Sequence, residues 1–334
     1  MPILAYGQNV DTLKKQSFLP VISGLIKTKW EYCFDDHTNR FDIRNSRLAI
    51  GGALSSFIDY KLQIEYSNHG IFTFLDAYAM IKPWDNFTFW FGQFTIPFSE
   101  DYVISPTQNI FVNRTFVGKF INPSTRDIGI RADYSISTKM PLSVQVGIYN
   151  GTGINNPEWQ ESPFLLGRLI YGTMEGFRAS IKYYGGKNTE TGKKIAHYGF
   201  DLRYVKNRYK VEAEYVLKDS LYSDIKLSGT YIQGAYSFPV NNKRLLKYIE
   251  PALRGDAMGY DVFNGGFDIS RMTIGVNFGL DKKPMAVELR LNYEHFFMRK
   301  SESDIWDNSY YNIFFERSDK GMFDKISVEL MIKF

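Results

Sequence analysis

Apolar and polar residues alternate with period 2 along most of this chain. The last segment shows it most fully: Ile326, Val328, Leu330, Ile332 and Phe334 fall on one side, and Ser327, Glu329, Met331 and Lys333 on the other. The same pattern recurs in Ile58–Tyr66, His197–Tyr204, Tyr209–Lys218 and Met285–Glu294. Strict alternation is the signature of a strand with two unlike faces. One face is almost wholly apolar in strand after strand, and no amphipathic helix is available to cover it. Lipid can cover it. The pattern therefore predicts a transmembrane β-barrel.

Turn residues between the alternating runs predict sixteen strands near 20–34, 40–53, 56–67, 71–83, 86–97, 126–138, 141–150, 163–173, 175–185, 195–206, 208–218, 226–239, 245–258, 267–280, 284–298 and 322–334. Each reaches the roughly 9–11 residues that a tilted strand needs to cross a bilayer. Connection lengths alternate as well. Short turns fall at Ser55, Trp84-Asp85, Lys139-Met140, Met174, Asn207, Asn241-Asn242 and Asp281–Lys283. The long connections, 98–125, 151–162, 186–194, 219–225, 259–266 and 299–321, all fall at the other end, with one tight exception at Asn68-His69-Gly70. Short inner turns and long outer loops are the asymmetry of bacterial outer-membrane barrels. The expected fold is all-β: a 16-stranded antiparallel transmembrane β-barrel with long outer loops and both termini periplasmic. A terminal strand ending on Phe334 also resembles the C-terminal sorting signal of such barrels. Residues 18–334 are expected to form one barrel. Residues 1–17 form a separate segment, and Ala5-Tyr6-Gly7 has the small-x-small pattern of a signal cleavage site; a remnant of a signal and a disordered N-terminus both fit it.

Composition agrees and excludes other classes. The 334 residues carry 23 Tyr and 27 Phe, and the aromatic share is 16%. Mean hydropathy is −0.27, and no long apolar run suggests a membrane helix. The net charge of +4 is too small to argue for nucleic acid. The single Cys33 excludes an internal disulfide and reads as a strand residue. The four histidines have no metal-ligand spacing, and no nucleophile elbow occurs. No cofactor is implied. Trp30, Tyr32, Trp84, Phe87, Trp90, Tyr171, Tyr198, Tyr236, Tyr293 and Phe334 are expected in the aromatic girdles, with the polar faces largely free of rings.

Several stretches resemble the phosphate-selective porin O/P family in order and spacing. Phe41-Asp42-Ile43-Arg44-Asn45-Ser46-Arg47-Leu48 resembles the early F-x-I-R-R-A-R-L strand, with Asn45 and Ser46 as departures. Asp76-Ala77-Tyr78 resembles D-A-Y, and Gly92–Glu100 resembles G-Q-F-K-x-P-F-S-x-E at the entry to the third loop. Arg126–Ile130 resembles R-D-I-G-I at its exit, and Asn150–Gly153 resembles N-G-x-G. The resemblance covers most of the chain. It implies a homotrimer of sixteen-stranded pores in outer-membrane lipid, each narrowed by an inward-folded third loop.

In this chain the 98–125 loop is rich in apolar residues (Ile104, Ile110, Phe111, Val112, Phe116, Val117, Phe120), which argues against a free external loop. Folded inward, it would bring Arg114, Lys119 and Arg126 to the constriction, where cationic side chains select anions. The alternative is that the three solvate a surface loop or pair with Glu100 and Asp101. Strand parity adds Lys27, Lys61, Arg131, Arg168, Arg203, Arg254, Arg271 and Arg290 as pore-lining bases, along with a nearly equal set of acids. Thr95 stands where the family motif has lysine, so strong phosphate selectivity does not carry over. The expected function is passive diffusion of small hydrophilic solutes, with weak anion preference at most. The alternatives are a plugged barrel with an adhesive or structural role and an outer-membrane hydrolase. The preferred solute and the role of loop 299–321 are left open.

Overall fold

The computed structural model describes residues 18–67, 70–137, 141–189, 192–220, 226–240, 246–260, 262, 266–280, 286–299 and 323–334. The N-terminal segment 1–17 and most of loop 299–321 lie outside them, as do the turns at Asn68-His69, Lys139-Met140, Asn241-Asn242 and Asp281–Lys283.

Among the described residues sixteen strands form one closed antiparallel sheet. They are β1 (Val21–Cys33), β2 in two pieces (Thr38–Ile43 and Ser46–Ala53), β3 (Ile58–Ser67), β4 (Ile71–Trp84), β5 (Phe87–Thr95), β6 (Arg126–Ser137), β7 (Leu142–Tyr149) and β8 (Phe164–Gly172). The second half is β9 (Gly176–Lys187), β10 (Lys194–Lys206), β11 (Tyr209–Ser220), β12 in two pieces (Lys226–Tyr236 and Phe238–Pro239), β13 (Tyr248–Tyr260), β14 (Ile269–Gly279), β15 (Ala286–Met298) and β16 (Lys325–Lys333). Each strand pairs with its neighbours in sequence. The last closes on the first, with Trp30 opposite Val328 and Leu25 opposite Lys333. Closure leaves no free edge.

The pattern of alternation becomes an inside-out distribution of side chains. Ile22, Ile26, Ile50, Ile130, Phe200, Leu253 and Ile274 are exposed on the outer surface, whereas Lys27, Arg168, Asp201, Glu214, Arg254 and Glu329 are buried inside. A water-soluble fold would show the reverse. Lipid satisfies the outer face, and every spanning strand has its backbone paired on both sides.

The predicted strand map holds to within a few residues, with one informative difference. β2 is interrupted after Ile43, where Asn45 adopts φ 55°, a left-handed conformation that Asn tolerates better than most residues. Thr28 faces Ile43 while Leu25 faces Arg47, so the strand carries one extra residue, a bulge. Alternation therefore changes phase within β2, and Asp42, Arg44 and Arg47 all come to the inner side.

Trp84, Tyr171, Tyr198, Tyr293 and Phe334 are exposed toward the outer surface, as expected of girdle residues. Trp90 is a correction. It faces inward and its indole Nε1 donates to Asp133 Oδ2 at 2.8 Å. The inner face is also not free of rings, since Tyr149, Phe164, Tyr184 and Tyr231 are buried within the barrel. They seat the third loop.

Closure depends on a small residue. Gly24 and Phe334 exchange backbone hydrogen bonds of 2.8 and 3.1 Å. A Cβ on Gly24 would lie 2.2 Å from Cζ of the Phe334 ring. Gly24→Val should therefore displace that ring and cost about 1–3 kcal/mol, as overpacking does. Measured in detergent, the thermal transition of the heat-modifiable band should fall relative to wild type.

Candidate pore constriction

The third outer loop, 96–125, folds into the barrel. It begins with a short helix, α1 (Glu100–Val103), and before returning to β6 it makes a single π-helical turn at Val117–Ile121. Its apolar residues are the reason. Ile96, Phe98, Phe116, Val117, Phe120 and Ile121 are buried against Phe94, Tyr149, Phe164, Tyr184, Val216, Tyr231 and Met258 of the wall. A second contact sets Ile110 and Phe111 on Ala252. Asp101 ties the two ends of the loop together by accepting from the backbone N and Oγ1 of Thr115, at 2.9 and 3.0 Å. Gly118 permits this, because a Cβ there would meet Asp101 Oδ2 at 2.3 Å.

Polar wall residues hold the loop's backbone. Ser99 Oγ donates to Glu214 at 2.9 Å, the Phe116 N–H to Asp256 at 2.9 Å and the Val112 N–H to Asn292 at 2.6 Å. Arg254 donates to the Asn113 carbonyl at 2.9 Å and Arg271 to that of Arg114 at 2.8 Å. Arg168 and Arg178 pair with Glu100, and Lys182 bridges Asp201 and Glu214 at 2.7 and 2.6 Å. Burial pushes the Glu100 carboxyl up, but Arg178 and Arg168 outweigh it and hold the group below the usual carboxylate range. Paired in this way, buried charges avoid most of the penalty an isolated ion would incur.

These polar anchors come from β8 through β15, while Phe94 of β5 and Tyr149 of β7 add apolar contacts and Asn113 of the loop reaches Arg44 of β2 and Glu31 of β1. The loop therefore fills the lumen mainly on the β8–β15 side and leaves the opposite side more open. On the open side, along β2–β5, the Lys61 and Lys82 side chains remain 33% and 39% exposed, against 1% for Arg254 and Arg290.

The sequence-predicted bases occupy three kinds of place. Arg168, Arg203, Arg254, Arg271 and Arg290 lie beneath the loop. Lys27 pairs with Glu329 at 3.0 Å, and Arg131 pairs with Asp133 at 2.8 Å with its guanidinium stacked 4.2 Å from the Trp90 ring centre. Lys61 and Arg126 share one carboxylate, Asp76, each at 2.7 Å. Arg114 lies 3.5 Å from Asp101 and stacks over Tyr102 at 4.0 Å. Lys119 is exposed to the lumen, with the Phe120 ring 4.9 Å away. The sequence reading missed Arg44, whose guanidinium donates to Asn113 Oδ1 at 3.0 Å across the lumen. Its signal was the motif Phe41–Leu48, but uniform alternation hides a residue set inward by a bulge. No acid lies within ion-pair distance of Arg44 or Lys119 among the described residues, although Glu294 is near enough to Lys119 to favour its charge. Wall and loop enclose the Lys119 ammonium although lumen water reaches it. That enclosure, with Lys325, Arg44 and Arg271 nearby, pushes its pKa down to about 7.

Three of the motifs, Gly92–Glu100, Arg126–Ile130 and Asn150–Gly153, contribute residues to the roots of two loops. Asp127 accepts from the Gly151 N–H at 2.7 Å and from Tyr184 Oη at 3.3 Å. Gln93 Nε2 donates to the carbonyls of Phe74 and Leu75 and to Asn155 Oδ1, while Gln93 Oε1 accepts from the Asn155 N–H at 2.7 Å. Leu75 is the extra residue of a bulge in β4, which turns its carbonyl toward Gln93.

The family model for phosphate-selective porin O and P matches residues 30–163, a span from β1 to the start of β8 that includes the third loop. No curated protein sequence matches the chain. Solved structures with the same fold include OmpF of Salmonella typhi in complex with daunomycin, with TM-score 0.66 and 12% identity, covering 94% of this chain and 97% of that one. An anion-selective porin from Comamonas acidovorans has TM-score 0.63 and 12% identity over 94% and 98% of the two chains. OmpT of Vibrio cholerae in its trimer form has TM-score 0.63 and 12% identity over 95% and 99%. The chain thus has the barrel fold of outer-membrane porins.

Glu100→Gln should loosen the loop, since it leaves Arg168 and Arg178 to share Asp201, at 3.2 and 4.0 Å, as their charge partner. Removing one member of a buried pair costs about 3–5 kcal/mol. A lowered thermal transition and faster proteolysis within 96–125 are expected, whereas wild-type values for both would contradict the anchoring role.

Proposed function

We propose that the protein is a bacterial outer-membrane pore for passive diffusion of small hydrophilic solutes, weakly preferring anions and assembling as a homotrimer. The observation that carries this is the one-sided packing of the third loop. It leaves a more open strip of lumen along β2–β5, and the cations at its edges outnumber their close acids: Arg44 and Lys119 have no acid within ion-pair distance among the described residues, and Asp76 serves both Lys61 and Arg126. Uncompensated cations in a narrow aqueous path raise the local anion concentration. Balanced pairs over the rest of the wall keep the preference weak. The match to the porin model and the porin-type barrel support a channel over an enzyme, and the trimeric neighbour supports the assembly. A plugged barrel is the competing reading, favoured by the close packing of the loop on β8–β15.

Planar-bilayer recordings under a KCl gradient test the proposal. A stable conductance with a modest anion-selective zero-current potential is expected, and no conductance would remove the pore function. Arg44→Ala and Lys119→Ala should together reduce the anion-to-cation permeability ratio by about twofold or more, as expected for a charged selectivity ring losing members. The Lys119 charge is present below its pKa of about 7 and lost above it, so anion preference should fall as the pH is raised from below to above that value. Lys119→Gln should flatten that dependence. A ratio that ignores both pH and these substitutions would contradict the assignment.

A further inference from the structure

The strip of lumen wall left open by the third loop departs from the polar pattern of the inner face. Its central inward positions on β4 and β5 are Tyr78, Met80 and Trp90. Met80 and Trp90 stand directly opposite each other, and the rings of Tyr78 and Trp90 lie 4.9 Å apart, tilted by 52°. All three side chains are half-buried, whereas the inward rings that seat the loop, such as Phe94 and Tyr149, are fully covered. Apolar surface left facing water is unfavourable in proportion to its area. Seating the loop explains the upper contact of these rings with Phe94; it does not account for the surface that remains open.

The surroundings define what could use that surface. Lys61 is directly opposite Tyr78 on β3, and Lys82 lies two residues beyond Met80 on the same inner face. Both side chains are partly exposed, with their ammonium groups paired with Asp76 and Asp59. On the other side of Tyr78 stands Gly92, which has no side chain to cover the ring; a Cβ there would lie 2.2 Å from the Ala77 carbonyl oxygen. The Trp90 N–H is already used by Asp133 and one ring face carries the Arg131 guanidinium at 4.2 Å, so the face turned away from Arg131 is what remains. The open groups are thus aromatic faces flanked by donors. The nearby carboxylates Asp59, Asp76 and Asp133 are each engaged by a wall cation, so the partly exposed lysines are the polar groups left to meet a ligand; a flat ring carrying a carboxylate fits both features.

We propose that Tyr78, Met80 and Trp90, with Lys61 and Lys82 beside them, form a binding strip for aromatic carboxylates within the passage. The ring lies on Tyr78 and Trp90 while the carboxylate takes donors from the two lysines. This rests on the pore function above and narrows its substrate class.

Benzoate and acetate are the probes, added at equal concentration during single-channel recording on wild-type protein. Benzoate should interrupt the KCl current in a saturable, concentration-dependent way at levels where acetate does not. Trp90→Ala and Tyr78→Ala should each weaken that block by about threefold or more, in line with the worth of an aromatic pair. Lys61→Gln should weaken block by benzoate but not by benzyl alcohol. Heat-modifiable gel mobility establishes that each variant has folded, and the wild-type comparison needs no variant. Equal effects of benzoate and acetate on a conducting channel would overturn this proposal alone, as would undiminished block in folded Trp90→Ala. A protein that conducts nothing would overturn it together with the pore function.

Discussion

In hydrocarbon no backbone N–H or C=O can be left unpaired, and the rest of this molecule follows from that constraint. It forces the strands into a closed sheet, so β16 must return to β1, and Gly24 must stay small for Phe334 to complete the seam. Closure then divides every strand into a lipid face and an inner face. The apolar half of each alternating run goes outward without cost, and the charged half is confined to a space too narrow for all of it to meet water.

That confinement explains the interior. Cations and acids on the wall are close to balance, and those on β8–β15 are spent on one another and on the third loop. Arg168, Arg178, Lys182 and Arg203 face Glu100, Asp201, Glu212 and Glu214 in one buried network. The loop brings its own apolar side chains, which bury the inward aromatics that water could not have covered favourably. A loop held by so many directional contacts leans to one side, and an off-centre passage is the consequence. Selectivity then depends less on the number of basic residues than on the few the packing leaves without an acid.

Much of the fold was legible in the sequence because period-2 alternation and loop-length parity are local signals. The inward folding of 98–125 was legible too, since Ile104, Phe111 and Phe116 have no reason to be together in an external loop. The roles of individual charges were not. Whether Arg254 lines a passage or grips the Asn113 carbonyl depends on which wall the loop chooses, and that is decided by contacts far apart in sequence. Arg44 was hidden by the bulge at Asn45, which shifts the phase of a pattern that otherwise runs true. A Trp in an alternating strand suits an aromatic girdle, so nothing local marks Trp90 as inward; its partner Asp133 on the next strand places it inside.

One measurement addresses the off-centre passage most directly. With Cys33→Ser as background, single cysteines at Lys61→Cys, Lys82→Cys and Thr273→Cys are exposed to a membrane-impermeant charged thiol reagent during bilayer recording. Lys61 and Lys82 belong to the open strip, and Thr273 is fully buried beneath the loop. Rapid modification with a stepwise change in current is expected at the two lysine positions and none at Thr273. Equal modification at all three would show that the loop does not rest on the β8–β15 wall and would contradict the account.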